Sequence, residues 1–243
     1  MSPSKYTSEP ARIFGIDLAW GERNPDGLCL LETHATGGVI TSLTRTHGDP
    51  SILQFTRCRP EGYPCLLAID APLLCKNPTG ARPVDIQTHR VFGRFKCGCY
   101  PVNLGLCTRP MRLATFLLQQ GFECGWGIPT RDTPVMMEVY PHTSLVRRFA
   151  LTERIPYKKG KVALRRLAFT RLQAYLLEWL ESDGIHLPPS LEGPLRQPWS
   201  KANEDMADAL VCALTGYHHW KHQGRASEVL GDLENGFLVT LKD

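Results

Sequence analysis

The chain carries acids where a buried β-strand should carry none. Ile13-Phe14-Gly15-Ile16-Asp17-Leu18 is a short apolar run that reads as a strand covered on both faces, with Asp17 near its end. Leu66-Leu67-Ala68-Ile69 is a second run, closing at Asp70-Ala71-Pro72, and a third strand from Val135 to Tyr140 contains Glu138. A carboxylate in such a place is costly unless it pairs or binds a metal. Each alone is as readily a satisfied strand-end acid, but three in one chain favour a shared site.

A helix expected from about Glu204 to His222, with Asn203 as its N-cap, adds two more. Asp205 and Asp208 stand at i and i+3 on one face, beside an apolar stripe of Met206, Leu210, Ala213, Leu214 and Tyr217. Cys212 and Gly216 continue the acidic face, and small side chains there let a helix approach a sheet closely. The helix dipole accounts for acids in a first turn, which explains Glu204 and Asp205 but not the deeper Asp208.

Around these acids the elements fall in a definite order. Leu28 to Glu32 and Val39 to Leu43 follow the first strand across Asn24-Pro25-Asp26-Gly27 and Gly37-Gly38 turns. A helix from Ser51 to about Cys58 precedes the fourth strand. Residues 73–106 are Pro-, Gly- and Cys-rich and read mostly as loop, with a short helix near Val84 to Phe92. Pro110 to Gln120 is a helix stopped by Gly121, the fifth strand follows, and Val162 to Glu181 has a helical period. The tail from Gly231 to Leu241 adds one extended segment. The expectation is an α/β ribonuclease H-like fold: a mixed five-stranded sheet, three antiparallel strands then parallel ones, flanked by helices.

With 243 residues the chain fits one large domain. We expect a disordered leader over 1–10 and a single domain over 11–243 with a loop-rich insertion at about 73–134. No run approaches the ~20 apolar residues of a membrane span, and Met1 to Ala11 lacks the apolar core of a signal peptide, so a cytoplasmic protein follows by default. The net charge of +4 and pI near 8.6 permit a nucleic-acid partner without demanding one. Two basic clusters, Lys158-Lys159-Gly160-Lys161 with Arg165 and Arg166, and Arg90, Arg94, Lys96, Arg109 and Arg112, suit phosphates or plain solvation. Nine cysteines without a secretory signal read as free thiols. Cys97, Cys99, Cys107 and Cys124 lack the paired C-x2-C spacing of a structural zinc site.

Clustered carboxylates suit hard cations such as Mg2+ or Mn2+, which can clamp an in-line displacement at phosphorus and activate the attacking water. The chain shows no Ser-His-Asp elbow and no G-x-x-x-x-G-K-[ST] loop. The expected activity is therefore metal-dependent hydrolysis of phosphodiester bonds in nucleic acid, DNA or RNA being undecided, as is the oligomeric state.

The segments Ile16-Asp17-Leu18-Ala19-Trp20-Gly21, Ile69-Asp70-Ala71-Pro72-Leu73, Gly80-Ala81-Arg82-Pro83-Val84-Asp85, Glu138-Val139-Tyr140-Pro141-His142 and Asp205-Met206-Ala207-Asp208-Ala209-Leu210 together resemble the family called domain of unknown function 429. The resemblance spans about Arg12 to Gly236. That family is grouped with predicted ribonuclease H-like nucleases, and Asp-x-x-Asp-Ala-Leu is also similar to the final helix of RuvC-type resolvases. The resemblance implies Asp17, Asp70 and Asp208 as first metal ligands, Asp205 next, and Glu138 as a further catalytic acid. Asp70 departs from the Glu of many such nucleases, which leaves one ion or two open. Arg82, Asp85, Arg90, Arg112, Tyr140, His142 and Lys159 fall in segments the family features and are candidate phosphate or substrate contacts, with core or surface roles equally open.

Two other readings compete. A non-catalytic nucleic-acid- or protein-binding module would keep the acids as structural pairs. An actin-like ATPase would need a second Gly-Ile-Asp strand and a phosphate-binding hairpin, which this chain lacks.

Overall fold

A computed structural model describes residues 10–57 and 62–243. The leader expected over 1–10 falls outside them except for Pro10, as does the predicted helix end at Cys58. Strands β1 (Arg12–Asp17), β2 (Asp26–His34) and β3 (Gly37–Thr46) form the expected antiparallel meander. Helix α1 (Asp49–Arg57) leads to β4 (Cys65–Ile69), which pairs parallel with β1.

The segment 73–134 contains both helices expected there, together with a short strand the sequence did not show. It holds α2 (Pro83–Phe92), α3 (Thr108–Gln119) and a two-residue strand β5 (Glu123–Cys124). β6 (Val135–Glu138) pairs parallel with β4, and α4 (Pro141–Arg148), started by a proline in its first turn, follows directly. Next come α5 (Val162–Ser182), β7 (Ile185–His186), the one-turn α6 (Gly193–Arg196) and α7 (Lys201–Lys221). The predicted single tail segment is a hairpin, β8 (Ser227–Asp232) and β9 (Gly236–Leu241), turned by Asp232, whose Oδ1 accepts from the backbones of Glu234 and Asn235.

Among the described residues the main sheet has seven strands in the order β5-β6-β4-β1-β2-β3-β7, not five. The two extra strands are edge pairs of two residues each, too short to show any alternation in sequence. Both faces are covered, as the apolar runs require. Phe14, Ile16, Leu67, Ile69 and Met136 pack against Ile52 of α1 and Leu113 and Leu117 of α3. Ile13, Leu66, Ala68 and Met137 pack beneath α4, α5 and α7.

α7 crosses β1, β2 and β4 at very short range. A Cβ on Gly15 would lie 2.0 Å from the carbonyl oxygen of Ala209, and one on Gly27 would lie 2.1 Å from that of Asp205. Those two glycines, with the small residues of the helix, set the acidic end of α7 against the end of β1. The helix also starts a turn earlier than expected. Ser200, not Asn203, is its N-cap and accepts the Asn203 N–H at 3.1 Å, so Asp205 and Asp208 lie past the first orphan amides. Among the described residues no helix is long and apolar enough to cross a membrane.

Candidate functional site

The carboxyl ends of β1, β4 and β6 lie side by side. Ile16 pairs with Ile69 and Ile69 with Glu138, and the Asp70 amide donates to Ile16 at 2.9 Å. This register brings Asp17 and Asp70 to adjacent strand ends, and α7 supplies Asp208 from above. Asp17 feels the charge of Asp208, Asp70 and Asp205, and Asp70 that of Asp208 and Glu138. Burial, and then mutual repulsion, hold Asp17 well above the usual carboxylate range and push Asp70 up to about 7, against the pull of Lys158. Among the described residues neither the Asp17 nor the Asp70 carboxylate has a hydrogen-bond or ion-pair partner.

Asp208 is differently placed. It is wholly buried, accepts the Tyr157 hydroxyl at 2.5 Å and pairs with the Lys158 ammonium at 2.9 Å. Tyr157 and Lys158 belong to the connection between α4 and α5. The neighbouring carboxylates hold the Lys158 ammonium well above its ordinary value, so it stays charged. The basic run containing Lys158 was visible in sequence, but nothing there told the inward Lys158 from the outward Lys159. The aromatic Ile155-Pro156-Tyr157 just before it was the one available signal of a buried anchor.

Glu138 and Asp205 are already engaged. Glu138 takes Arg82 in a fork, Nη1 to Oε2 at 2.9 Å and Nη2 to Oε1 at 2.6 Å, and the Leu73 amide at 3.0 Å. Arg82 also grips Asp85, whose Oδ2 accepts the amides of Arg82 and Val102. Asp205 lies between Arg45 at 3.1 Å and Lys201 at 2.8 Å. Arg82, at the start of α2, thereby ties the insertion to the end of β6, and Arg45 ties β3 to the start of α7.

The remaining candidates divide by place. Tyr140, His142 and Lys159 line one cavity of about 220 Å³ together with Lys158. Arg112 is remote from it, bound to Asp49 at 2.6 Å and Glu22 at 2.8 Å, and Arg90 is an exposed residue of α2. The described cysteines are free thiols. Among the described residues no group of three or more His, Cys, Asp or Glu side chains is assembled to hold a metal ion, so Cys97, Cys99, Cys107 and Cys124 do not converge.

A family profile, that of a protein of unknown function, DUF429, matches residues 15–235. The chain belongs to the DUF429 family. No curated protein and no solved structure gives a significant match. The matched span of this DUF429 chain takes in every acid of the strand-end cluster, the Tyr157–Lys158 anchor and all of α7.

Proposed function

We propose that the chain is a metal-dependent hydrolase of phosphodiester bonds in nucleic acid, built on a ribonuclease H-like fold. The observation that carries this reading is the pair of unpartnered, repelling carboxylates of Asp17 and Asp70 beside Asp208. The β3-β2-β1-β4-β6 order, with β2 alone antiparallel to its neighbours and a helix laying acids over the strand ends, supports the fold.

The donors suit Mg2+ or Mn2+ in kind, being oxygen only. Mg2+ is commonly held by one or two carboxylates with waters and substrate phosphate rather than by a closed protein cage. Two open acids without a complete three-residue set fit that habit, and Asp17 and Asp70 would hold the ion. Such an ion supplies Lewis-acid polarisation of a phosphoryl oxygen and makes water a better nucleophile. The protein's own part is positional and electrostatic. Tyr157 fixes Asp208, Asp208 fixes Lys158, and the Lys158 ammonium presents positive charge to a phosphate entering beside Asp70. Arg82 holds the end of β6 through Glu138.

Calorimetry with Mn2+ and Mg2+ on wild type, Asp17→Asn and Asp70→Asn tests this, followed by a cleavage panel of single-stranded, duplex and junction substrates. Wild type should bind and cleave while both variants, still folded, lose both. Failure of wild type to bind up to millimolar metal with nucleic acid present would sink the catalytic reading. One observation favours a non-catalytic binding module instead: Lys158 already neutralises Asp208. On that reading nucleic acid binds without metal and no cleavage follows.

A further inference from the structure

Beside the carboxylates lies a cavity of about 220 Å³ walled by Tyr100, Tyr140 and His142 and edged by Arg154, Lys158 and Lys159. A second, smaller hollow of about 80 Å³ shares Tyr100 and Tyr140 with it and is floored by Asp70. The two form one cleft running from the acids into a basic, aromatic recess. Its volume stands at the bottom of the roughly 300–1,000 Å³ typical of sites for drug-sized ligands, so it suits one flat ring with a small charged group.

Three features of the walls point to a ligand. Tyr100 is 68% exposed, with Trp20 edge-on at 6.5 Å, so a large aromatic face is offered at the mouth rather than buried. Among the described residues Arg154 and Lys159 have no carboxylate partner, and no acid lines this cavity. His142 is 3% exposed, with Tyr140 edge-on at 5.4 Å and Tyr157 at 5.1 Å, and its buried Nδ1 has no hydrogen-bond partner among the described residues. Burial and the nearby cations of Lys158 and Arg154 hold its pKa well below the ordinary histidine value, so it meets a ligand as a neutral ring.

We propose that this recess takes a single unpaired nucleoside monophosphate unit, its base among Tyr100, Tyr140 and His142 and its phosphate against Arg154 and Lys159, with the adjoining ester directed to Asp70. Aromatic faces accept any base by stacking, and cations track the phosphate. A paired base cannot enter without leaving its stack. The reacting bond rests on the hydrolase reading above, but binding does not, which lets the two fail separately.

The test is fluorescence-detected binding in EDTA, where no metal-dependent cleavage can occur. The probes are adenosine and cytidine monophosphate, inorganic phosphate, a short labelled single strand and the same strand as a blunt duplex. The single strand should bind well above the duplex. Tyr100→Ala should weaken it by about tenfold, and Lys159→Ala should weaken it and lower the salt dependence by about one counterion. Both residues are exposed, so both variants should fold. Mononucleotide binding that equals the single strand assigns a free nucleotide as ligand, and tighter binding of the strand assigns a chain; either upholds the recess. Duplex binding as tight as single strand, binding untouched by Tyr100→Ala, or no binding beyond that of inorganic phosphate overturns it.

Discussion

Arg82 is 2% exposed and serves two buried acids at once, Glu138 and Asp85. Removing one member of a buried pair leaves an uncompensated charge and costs about 3–5 kcal/mol. Arg82→Ala should lose at least that much stability in urea unfolding, and Arg82→Lys most of it, since an ammonium cannot reproduce the fork. A fully stable Arg82→Lys would show that the fork contributes little. Lys158 acts in the opposite sense on a cation. It stands against Asp208 and within the field of Asp17 and Asp70, so Lys158→Met should bind Mn2+ more tightly, by on the order of tenfold. Weaker binding by this variant in calorimetry would mean that Lys158 arranges the acids rather than competing for them.

The placing of α7 depends on what β1 and β2 leave out. The atoms a Cβ on Gly15 or Gly27 would strike are helix backbone, Ala209 and Asp205, which cannot turn aside as a side chain can. Overpacking of this kind costs typically 1–3 kcal/mol, and more where backbone must move. Gly15→Ala and Gly27→Ala should therefore lower thermal stability by at least that range, and should weaken metal binding by lifting Asp208 from the strand ends. Gly93 is the control. It follows α2 in right-handed helical conformation with nothing within 4 Å of a new Cβ, so Gly93→Ala should gain about 0.4–1 kcal/mol. Equal losses at Gly93 and Gly15 in a melting series would rule out the close-approach explanation.

The acid cluster makes the stability of the whole molecule depend on pH. Asp70 rises from its usual 3.8 to about 7, first through burial and then through its acidic neighbours, with Asp17 shifted the same way. Between those values the folded protein holds a proton that the unfolded chain releases, so folding stability falls as pH rises from about 4 to about 7. Melting in EDTA should show that decline, and Asp70→Asn should flatten it and stabilise the protein at pH 8 by on the order of 1 kcal/mol. Mn2+ should raise the wild-type melting point above pH 7, by about 2.7 kcal/mol of stability at a hundredfold excess over Kd. A slope identical in wild type and Asp70→Asn would place the pH dependence elsewhere.

Sequence alone determined the elements whose pattern is long enough to read. β1 to β4 and β6 announced themselves as apolar runs, and Asp17, Asp70 and Glu138 stood out because an acid in such a run needs a reason. The helical period gave α5 and α7 within a few residues. β5 and β7 were hidden because two residues carry no period, whereas the β8–β9 turn did carry a signal, Asn235-Gly236 with Gly236 at a φ of 106°, beside the Asp232 side chain that caps it. Only tertiary structure could sort the acids. Whether a carboxylate is open or engaged depends on which cation reaches it, and Arg82 lies 56 residues from Glu138 while Tyr157 lies 51 from Asp208. Local sequence sets the charge and face of a side chain; its partner is set by how distant segments pack.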